Sequence, residues 1–293
     1  MKKVLAIAGS DSGGCAGIQA DIKSISSCEA FAMSVITAVT AQNTKEVTHI
    51  EELSCESITA QIRAVYADMA PDSVKTGMLF SKDIIEAVSD TLKEVNKSPL
   101  VVDPVMVSTS GAKLLQDDAV KVMVEKLFPQ ALLVTPNIYE AEILTGIKIE
   151  SGEDIGEVCH KLYEMGAKNV LLKGGHLLIT GEEACDYLYN GEDIFEAVSP
   201  RVKTNNVHGT GCSYASAIAA FLAHGKSLED SIAKAKEYIT YAIMAGVNLN
   251  IGSGSGPINH FFQSVGHSDK KENGCCGGSN SSHKKEGGCG CGK

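Results

Sequence analysis

Short apolar runs alternate with amphipathic segments along most of this chain. Mostly β-branched runs lie at 4–7, 33–39, 73–76, 100–103, 132–134 and 170–173, and helical patterns lie at 17–28, 55–69, 83–95, 117–127 and 155–164. Strands that alternate with helices in this way build a parallel sheet with helices on both faces. The sequence therefore predicts an α/β fold, a three-layer α/β/α sandwich with a mostly parallel central sheet. The runs 183–189 and 194–199 meet around Asn190 and Gly191 and predict an antiparallel hairpin at the sheet edge.

The composition changes abruptly after Val265. Of the 293 residues, 44% are hydrophobic, which is enough for one large core in a domain spanning 1–265. Between 266 and 293, only the cysteines count as apolar. Such a segment cannot bury enough surface to order itself, so we expect a disordered tail over 266–293. Soft ligands in this tail leave open an additional zinc or copper(I) site, formed by Cys275, Cys276, Cys289, Cys291, His267 and His283.

The net charge limits the partners of the chain. A formal charge of −10 and a pI near 5.3 argue against nucleic acid and against an anionic membrane surface. No stretch is long enough to span a bilayer, and the apolar run at 4–8 breaks too early at Gly9 for a secretory signal. The cysteines before residue 265 show no framework spacing. We therefore expect a protein of the reducing cytoplasm that binds neither nucleic acid nor membrane.

The segment 206–212, Asn-Val-His-Gly-Thr-Gly-Cys, precedes a helical pattern with apolar residues at 215, 218, 219 and 222. Gly209, Thr210 and Gly211 therefore form a loop that turns into a helix N-terminus, and Cys212 lies in or just before the first turn. Unpaired N–H groups and the helix dipole favour an anion such as phosphate there, and a thiol at this position tends to ionise more readily. Phosphoryl transfer to a hydroxyl requires such a site, although the pattern alone also fits an ordinary loop before a packing helix.

Several polar side chains directly follow predicted strands. Ligands of open α/β sheets bind beyond the carboxyl ends of the strands, so these side chains are functional candidates. Asp103 ends one such run, and Lys173 ends another beside two glycines, where it could neutralise phosphate charge. Asn137 and Glu140 open a predicted helix and either form a capping box or help to hold hydrated Mg²⁺. Gln42 offers a donor and an acceptor that suit a heterocycle edge, or else faces water.

The first predicted strand runs into a glycine-rich loop at 9–17, which is followed by a helix carrying Asp21. The spacing matches neither a P-loop nor the G-x-G-x-x-G pattern. The loop could cradle phosphate. We favour the alternative that its small residues let a flat organic substrate lie against the backbone, with Asp21 accepting a hydrogen bond.

Together these motifs resemble the ribokinase superfamily and, within it, the hydroxymethylpyrimidine/phosphomethylpyrimidine kinases of thiamine biosynthesis. The resemblance covers about residues 3–263. It includes Ala-Gln-Asn-Thr at 41–44, Asp-Pro-Val-Met at 103–106, Thr-Pro-Asn at 135–137, Lys-Gly-Gly-His at 173–176 and Gly-Ser-Gly-Pro-Ile-Asn-His at 254–260. One departure is Ser12, which stands where the family more often has proline.

The resemblance implies a ribokinase-like fold and a homodimeric kinase that uses ATP and Mg²⁺. Such a kinase phosphorylates the hydroxymethyl group of the pyrimidine and then the resulting monophosphate. The resemblance implies that the transferring group binds at Gly209, Thr210, Gly211 and Cys212, with the cysteine in the place of the superfamily's aspartate base. It implies ATP contacts from Lys173, Asn137, Gly209 and Gly211, and a metal near Asp103 and Glu140. It also implies a pyrimidine site lined by Ala16, Asp21, Gln42, Met78 and Val105.

The closest alternative activity is that of a pyridoxal or pyridoxine kinase. Some of those enzymes share this fold, the cysteine and the first loop. They tend to depart at the segment 41–44, where Gln42 and its neighbours here follow the pyrimidine kinases. A side activity on pyridoxine stays open, because both substrates are hydroxymethyl heterocycles of similar size.

Overall fold

The computed structural model describes residues 1–108, 111–175 and 181–263. Residues Met1–Phe262 form one compact unit built on a nine-stranded sheet. The strands are β1 (Lys3–Asp11), β2 (Phe31–Gln42), β3 (Val47–Glu52), β4 (Ser73–Thr76), β5 (Leu100–Val102), β6 (Leu133–Val134), β7 (Val170–Lys173), β8 (Glu183–Tyr189) and β9 (Ile194–Pro200). Their order in the sheet is β3-β2-β1-β4-β5-β6-β7-β8-β9. The predicted tail at 266–293 lies outside the described residues, and so does His176.

The prediction of a mostly parallel sheet is confirmed. Neighbouring strands from β2 to β7 pair in parallel, and antiparallel pairs occur only at the two sides of the sheet. The predicted hairpin is β8–β9, in which Gly191 has a φ of 103° and Asn190 Oδ1 accepts the N–H groups of Glu192 and Asp193. The sequence pattern did not predict β3, because this edge strand is largely exposed and its two apolar residues, Val47 and Ile50, do not follow the two-residue period of a strand.

The helices lie close to their predicted positions. They are α1 (Gly17–Ser27), α2 (Cys55–Asp68), α3 (Lys82–Val95), α4 (Asp117–Val122), α5 (Ile138–Thr145), α6 (Glu153–Glu164), α7 (Thr210–Ala223) and α8 (Leu228–Gly246). Serine side chains cap two of them, since Ser54 Oγ accepts the Ser57 N–H at 3.2 Å and Ser227 Oγ accepts the Asp230 N–H at 3.1 Å. After α4 the chain continues through a wider π turn and then a tighter 3₁₀ turn that contains Pro129.

Two apolar cores cover opposite faces of the sheet. Leu5 and Ile7 of β1 pack on one face with α2 and α3, whereas Val4, Ala6 and Ala8 pack on the other face with α1, α7 and α8. This division follows from the two-residue period of a strand. The predicted three-layer sandwich is therefore confirmed, and the carboxyl ends of the parallel strands meet at one edge of the sheet.

Candidate active site

Backbone hydrogen bonds extend beyond the strands and align the predicted strand-end residues. The Asp103 N–H donates to Thr76 O, the Thr135 N–H to Val102 O and the Lys173 N–H to Pro136 O, each at 2.9 Å. Asp103 and Lys173 thereby stand side by side at the carboxyl edge. Lys173 Nζ lies 2.7 Å from Asp103 Oδ1, which also accepts the Thr135 hydroxyl at 3.1 Å.

Charge–charge interactions keep Lys173 protonated at this edge. Burial by itself lowers its pKa, but Asp103 and Glu140 outweigh that effect and leave the pKa raised. Burial raises the pKa of Glu140 to about 7 against the opposing effect of Lys173. The site therefore brings together the Lys173 ammonium, the carboxyl group of Asp103 and a second carboxyl group, that of Glu140, whose pKa lies near neutrality.

Asn137 and Glu140 form a capping box at the start of α5. Asn137 Oδ1 accepts the Glu140 N–H at 2.9 Å, and Glu140 Oε2 accepts the Asn137 N–H at 2.8 Å. A further backbone hydrogen bond reaches Glu140 from Met106. The capping interpretation of this pair is thus confirmed. Because Glu140 already accepts backbone N–H groups, it has less capacity for direct metal ligation than its spacing suggested.

The glycine turn at 209–212 opens α7 as predicted. Gly209 is the N-cap with a φ of 81°, and a Cβ there would collide with the carbonyl oxygen of Cys15, so only glycine fits. A Cβ on Gly211 would lie 3.4 Å from Lys173 Nζ and 3.9 Å from Asp103 Oδ2. The helix N-terminus and the Asp103–Lys173 pair therefore face the same small volume, where N–H groups and an ammonium can meet one anion.

The expectation that the helix N-terminus makes the Cys212 thiol ionise more readily is wrong. Burial raises the pKa of Cys212 to about 11, and Asp21 and Asp103 act in the same direction. Lys75 and a hydrogen bond from the Gly17 backbone lower the pKa, but they do not restore the ordinary value. Desolvation of the thiolate is thus the largest influence on this pKa.

Sequence reasoning missed Lys75, the buried cation that faces Cys212. Its side chain is fully buried on β4, with Nζ at 2.8 Å and 3.0 Å from the two carboxylate oxygens of Asp21. Asp21, Cys212 and Asp103 raise the pKa of Lys75 above its usual value despite burial, so the side chain is charged. A lysine inside the apolar run 73–76 was the available signal, because such a residue is rarely buried without a partner.

Asp21 does not present its carboxylate openly to a substrate. Besides Lys75, its Oδ1 accepts the Ser216 hydroxyl of α7 at 2.8 Å, and the residue has no exposed surface. Asp21 therefore holds the Lys75 ammonium and also raises the pKa of Cys212 through its own charge. Asp21 was predicted to accept a hydrogen bond from a substrate, but neither of its carboxylate oxygens is exposed in this structure.

Asp11 shapes the first loop and brings Ala16 to the site. Its carboxylate accepts the N–H groups of Gly13, Cys15 and Ala16 at 2.7 Å, 2.8 Å and 2.8 Å. Ala16 Cα consequently lies beside Gly209, 3.3 Å from the position of an added Cβ. Sequence reasoning noted the small residues of this loop but not the carboxylate that organises it.

Met78 and Val105 contribute to an apolar cluster at the same edge, with Ala38 and Leu114. The Met78 side chain packs directly over Gly9 of β1, where a Cβ would collide with its methyl group. Gln42 ends β2, and its Nε2 lies 3.1 Å from Nε2 of His208, the residue before Gly209. The structure therefore places Ala16, Met78, Val105 and Gln42 at the same sheet edge as the glycine turn.

Comparisons with known proteins agree with this geometry. Residues 11–259 match the model of the family described as phosphomethylpyrimidine kinase. The chain is 49% identical over 259 residues to a bifunctional thiamine biosynthesis protein of Geobacter sulfurreducens, covering 88% of this chain but only 52% of that relative. It is 46% identical over 260 residues to the hydroxymethylpyrimidine/phosphomethylpyrimidine kinase of Rhizobium meliloti, covering 88% of this chain and 97% of that relative.

A solved structure carries the same fold. The ADP complex of Bacillus subtilis pyridoxal kinase superposes with a TM-score of 0.83 at 34% identity, covering 90% of this chain and 99% of that chain. The family match, the identity to full-length relatives and the strand-end cluster lead to one assignment. The chain belongs to the phosphomethylpyrimidine kinase family, with a ribokinase-like fold.

Proposed function

We propose that this chain is the hydroxymethylpyrimidine/phosphomethylpyrimidine kinase of thiamine biosynthesis. It transfers a phosphoryl group from ATP to 4-amino-5-hydroxymethyl-2-methylpyrimidine and then phosphorylates the monophosphate to the diphosphate. The approach of the α7 N-terminus to the Asp103–Lys173 pair carries this proposal, since a Cβ added to Gly211 would lie within 4 Å of both side chains. That volume receives the transferring phosphoryl group, and the apolar cluster with Met78 and Val105 borders the pyrimidine.

Phosphoryl transfer needs little covalent chemistry from the protein, so positioning and charge stabilisation dominate. Backbone N–H groups at Gly211 and Cys212 and the Lys173 ammonium stabilise the charge that develops on the transferred group. Lys173 and Asn137 contact the ATP phosphates. The thiolate form of Cys212 accepts the proton of the hydroxymethyl group, and because the pKa of the thiol is about 11, this form is a minor fraction at neutral pH. The phosphate monoester of the second step is already ionised and needs no base.

The residues present fit a hydrated Mg²⁺ better than a fully protein-bound one. No group of three His, Cys, Asp or Glu side chains could hold a metal within residues 1–108, 111–175 and 181–263. Asp103 and Glu140 would hold Mg²⁺ largely through water and ATP oxygens, as this ion prefers. Bound there, it would neutralise phosphate charge. We propose Asp103 as the nearer partner, because Glu140 accepts backbone N–H groups in the capping box.

Product analysis tests the proposed function directly. The purified protein is incubated with ATP and Mg²⁺ and with the hydroxymethylpyrimidine, its monophosphate or pyridoxal in parallel. The expected result is conversion of the first to mono- and diphosphate and of the second to diphosphate. Phosphorylation of pyridoxal with no turnover of either pyrimidine would assign the pyridoxal kinase activity instead.

We also propose a homodimer in the cytoplasm. The cysteines of the described residues are all free, which is typical of a reducing compartment. Across the described ranges, no helix has the length and apolarity to cross a membrane. Sedimentation equilibrium of the purified chain distinguishes a dimer from the 30.8 kDa monomer.

A further inference from the structure

The hydroxyl of Ser12 joins the first loop to the end of β2. Its Oγ donates to Gln42 O at 3.0 Å and accepts the Gln42 N–H at 2.9 Å, so one side chain satisfies both backbone groups of a single residue. The parallel pairing of β1 with β2 ends where Asp11 lies opposite Thr40. The Ser12 side chain therefore extends this pairing beyond the last backbone position of β1.

Ser12 occupies the second position of a tight turn that follows β1. The turn spans 11–14, because Asp11 O accepts the Gly14 N–H at 3.0 Å. Proline, which the family more often has at position 12, suits this place in a turn because its ring fixes φ, but proline has no hydroxyl. The loop of this chain lacks that ring and is held to β2 by a hydrogen-bonded side chain instead.

The rest of the first loop packs closely against the same strand end and against the glycine turn. A Cβ added to Gly13 would lie only 3.0 Å from Gln42 O. At the other end of the loop, a Cβ added to Gly209 would lie 3.3 Å from Ala16 Cα. A continuous series of contacts thus runs from Gln42 through the loop to the glycine turn. Within this series, the hydroxyl of Ser12 supplies the hydrogen bonds between the loop and Gln42.

We infer that Ser12 is a positioning residue for the pyrimidine, because it fixes the separation between Gln42 and Ala16. The inference rests on the proposed function, in which these two residues border the heterocycle. Ser12 is exposed, so water can replace its hydroxyl and the fold does not depend on it. Loss of the hydroxyl lets the end of β2 shift relative to the loop, which weakens pyrimidine binding. The loop itself stays against the glycine turn, so the proposed ATP contacts are unaffected.

The kinetic test measures KM for the hydroxymethylpyrimidine and KM for ATP in three folded variants. In Ser12→Ala we expect KM for the pyrimidine to rise about three- to tenfold, the effect of one or two exposed hydrogen bonds, with KM for ATP unchanged. Ser12→Thr keeps the hydroxyl and should have a KM for the pyrimidine close to that of the wild type. The control Ser54→Ala removes the serine cap of α2, so it lowers stability and should change neither KM.

Amide hydrogen exchange, measured by NMR without substrate, tests the hydrogen bond itself. The Gln42 N–H should exchange faster in Ser12→Ala than in the wild type or in Ser12→Thr, because it loses its acceptor. An unchanged exchange rate or an unchanged KM for the pyrimidine in Ser12→Ala overturns the inference. An equal rise in KM for ATP, or an equal loss in Ser12→Thr, also overturns it. Failure of the wild-type protein to phosphorylate either pyrimidine would refute the proposed function itself, a result separate from the exchange rates.

Discussion

Replacement of Lys75 by methionine should raise the pKa of the Cys212 thiol. The ammonium is the largest influence that lowers this pKa, which burial has already raised to about 11. Loss of an opposite charge at close range shifts a pKa by about one to three units. A higher pKa leaves less thiolate at a given pH. Alkylation of Cys212 by iodoacetamide at fixed alkaline pH should therefore slow by about ten- to a thousandfold.

Asp21→Asn is the matched variant, for which we expect the opposite shift in the pKa of Cys212. Its carboxylate raises the pKa of Cys212, so Asp21→Asn, which keeps Lys75, should lower that pKa and speed alkylation. Removal of Lys75 alone leaves Asp21 buried without its partner, which costs about 3–5 kcal/mol of stability. The double variant Asp21→Asn/Lys75→Met avoids that unpaired charge. It should show a smaller rise in pKa than Lys75→Met.

Peptide-resolved mass spectrometry measures the alkylation rate of each thiol against pH. Cys55, which is partly exposed at the start of α2, serves as the internal reference and should be unaffected by either change. Circular dichroism confirms that each variant folds. Shifts of the same sign in Lys75→Met and Asp21→Asn, or no shift in either, would refute the electrostatic reasoning.

Four further predictions concern the reaction and the tail. Cys212→Ala should slow the first phosphorylation by roughly 10²–10⁴-fold, the usual contribution of a positioned base, and affect the second phosphorylation much less. Single-turnover rates with each acceptor measure both steps. Equal losses in the two steps would make Cys212 a positioning residue instead. In the wild-type enzyme, the first step should also accelerate between pH 7 and 9, because a thiol with a pKa of about 11 gains thiolate throughout that range; a flat pH–rate profile would speak against the thiolate base. Gln42→Met should weaken use of the hydroxymethylpyrimidine by on the order of 1–3 kcal/mol, seen as kcat/KM, because a polar edge of the substrate loses its partner; an unchanged value would remove Gln42 from the site. A chain that ends near Ser264 should keep full activity and thermal stability. Zinc or copper titration of this shortened chain and of the full chain tests metal binding by the tail. An equal number of metal ions bound by the two would exclude a metal site in the tail.

The sequence pattern predicted those parts of the fold that depend on periodicity. The buried parallel strands and the amphipathic helices carry strong two-residue and 3.6-residue periods, and they lie where expected. The strand β3 carries a weaker signal, because Glu51 and Glu52 stand on an exposed edge. Edge strands need little burial, so polarity does not distinguish them from loops.

Sequence reasoning predicted those parts of the site that local backbone geometry determines. It failed for the ion pairs and pKa values that depend on burial. The glycine turn and the spacing of Asn137 and Glu140 follow from local sequence. Local sequence cannot tell how deeply a thiol is buried, so it gave the wrong sign for the pKa of Cys212. Nor can it pair Lys75 with Asp21, which are 54 positions apart and meet only in the folded protein.

The contact of Gly209 with the carbonyl oxygen of Cys15 has a consequence for the two successive reactions. The glycine turn at 209–212 and the first loop touch backbone to backbone, so neither can shift without the other. If the proposed function holds, the distance between the phosphoryl group bound at this turn and the floor of the proposed heterocycle site is therefore constant. In the second reaction the acceptor is a phosphate oxygen of the monophosphate, which lies farther from the pyrimidine ring than the hydroxymethyl oxygen that accepts the first phosphoryl group. We therefore expect the monophosphate to bind with its ring displaced relative to the alcohol, so that the substrate adjusts between steps and the protein framework does not.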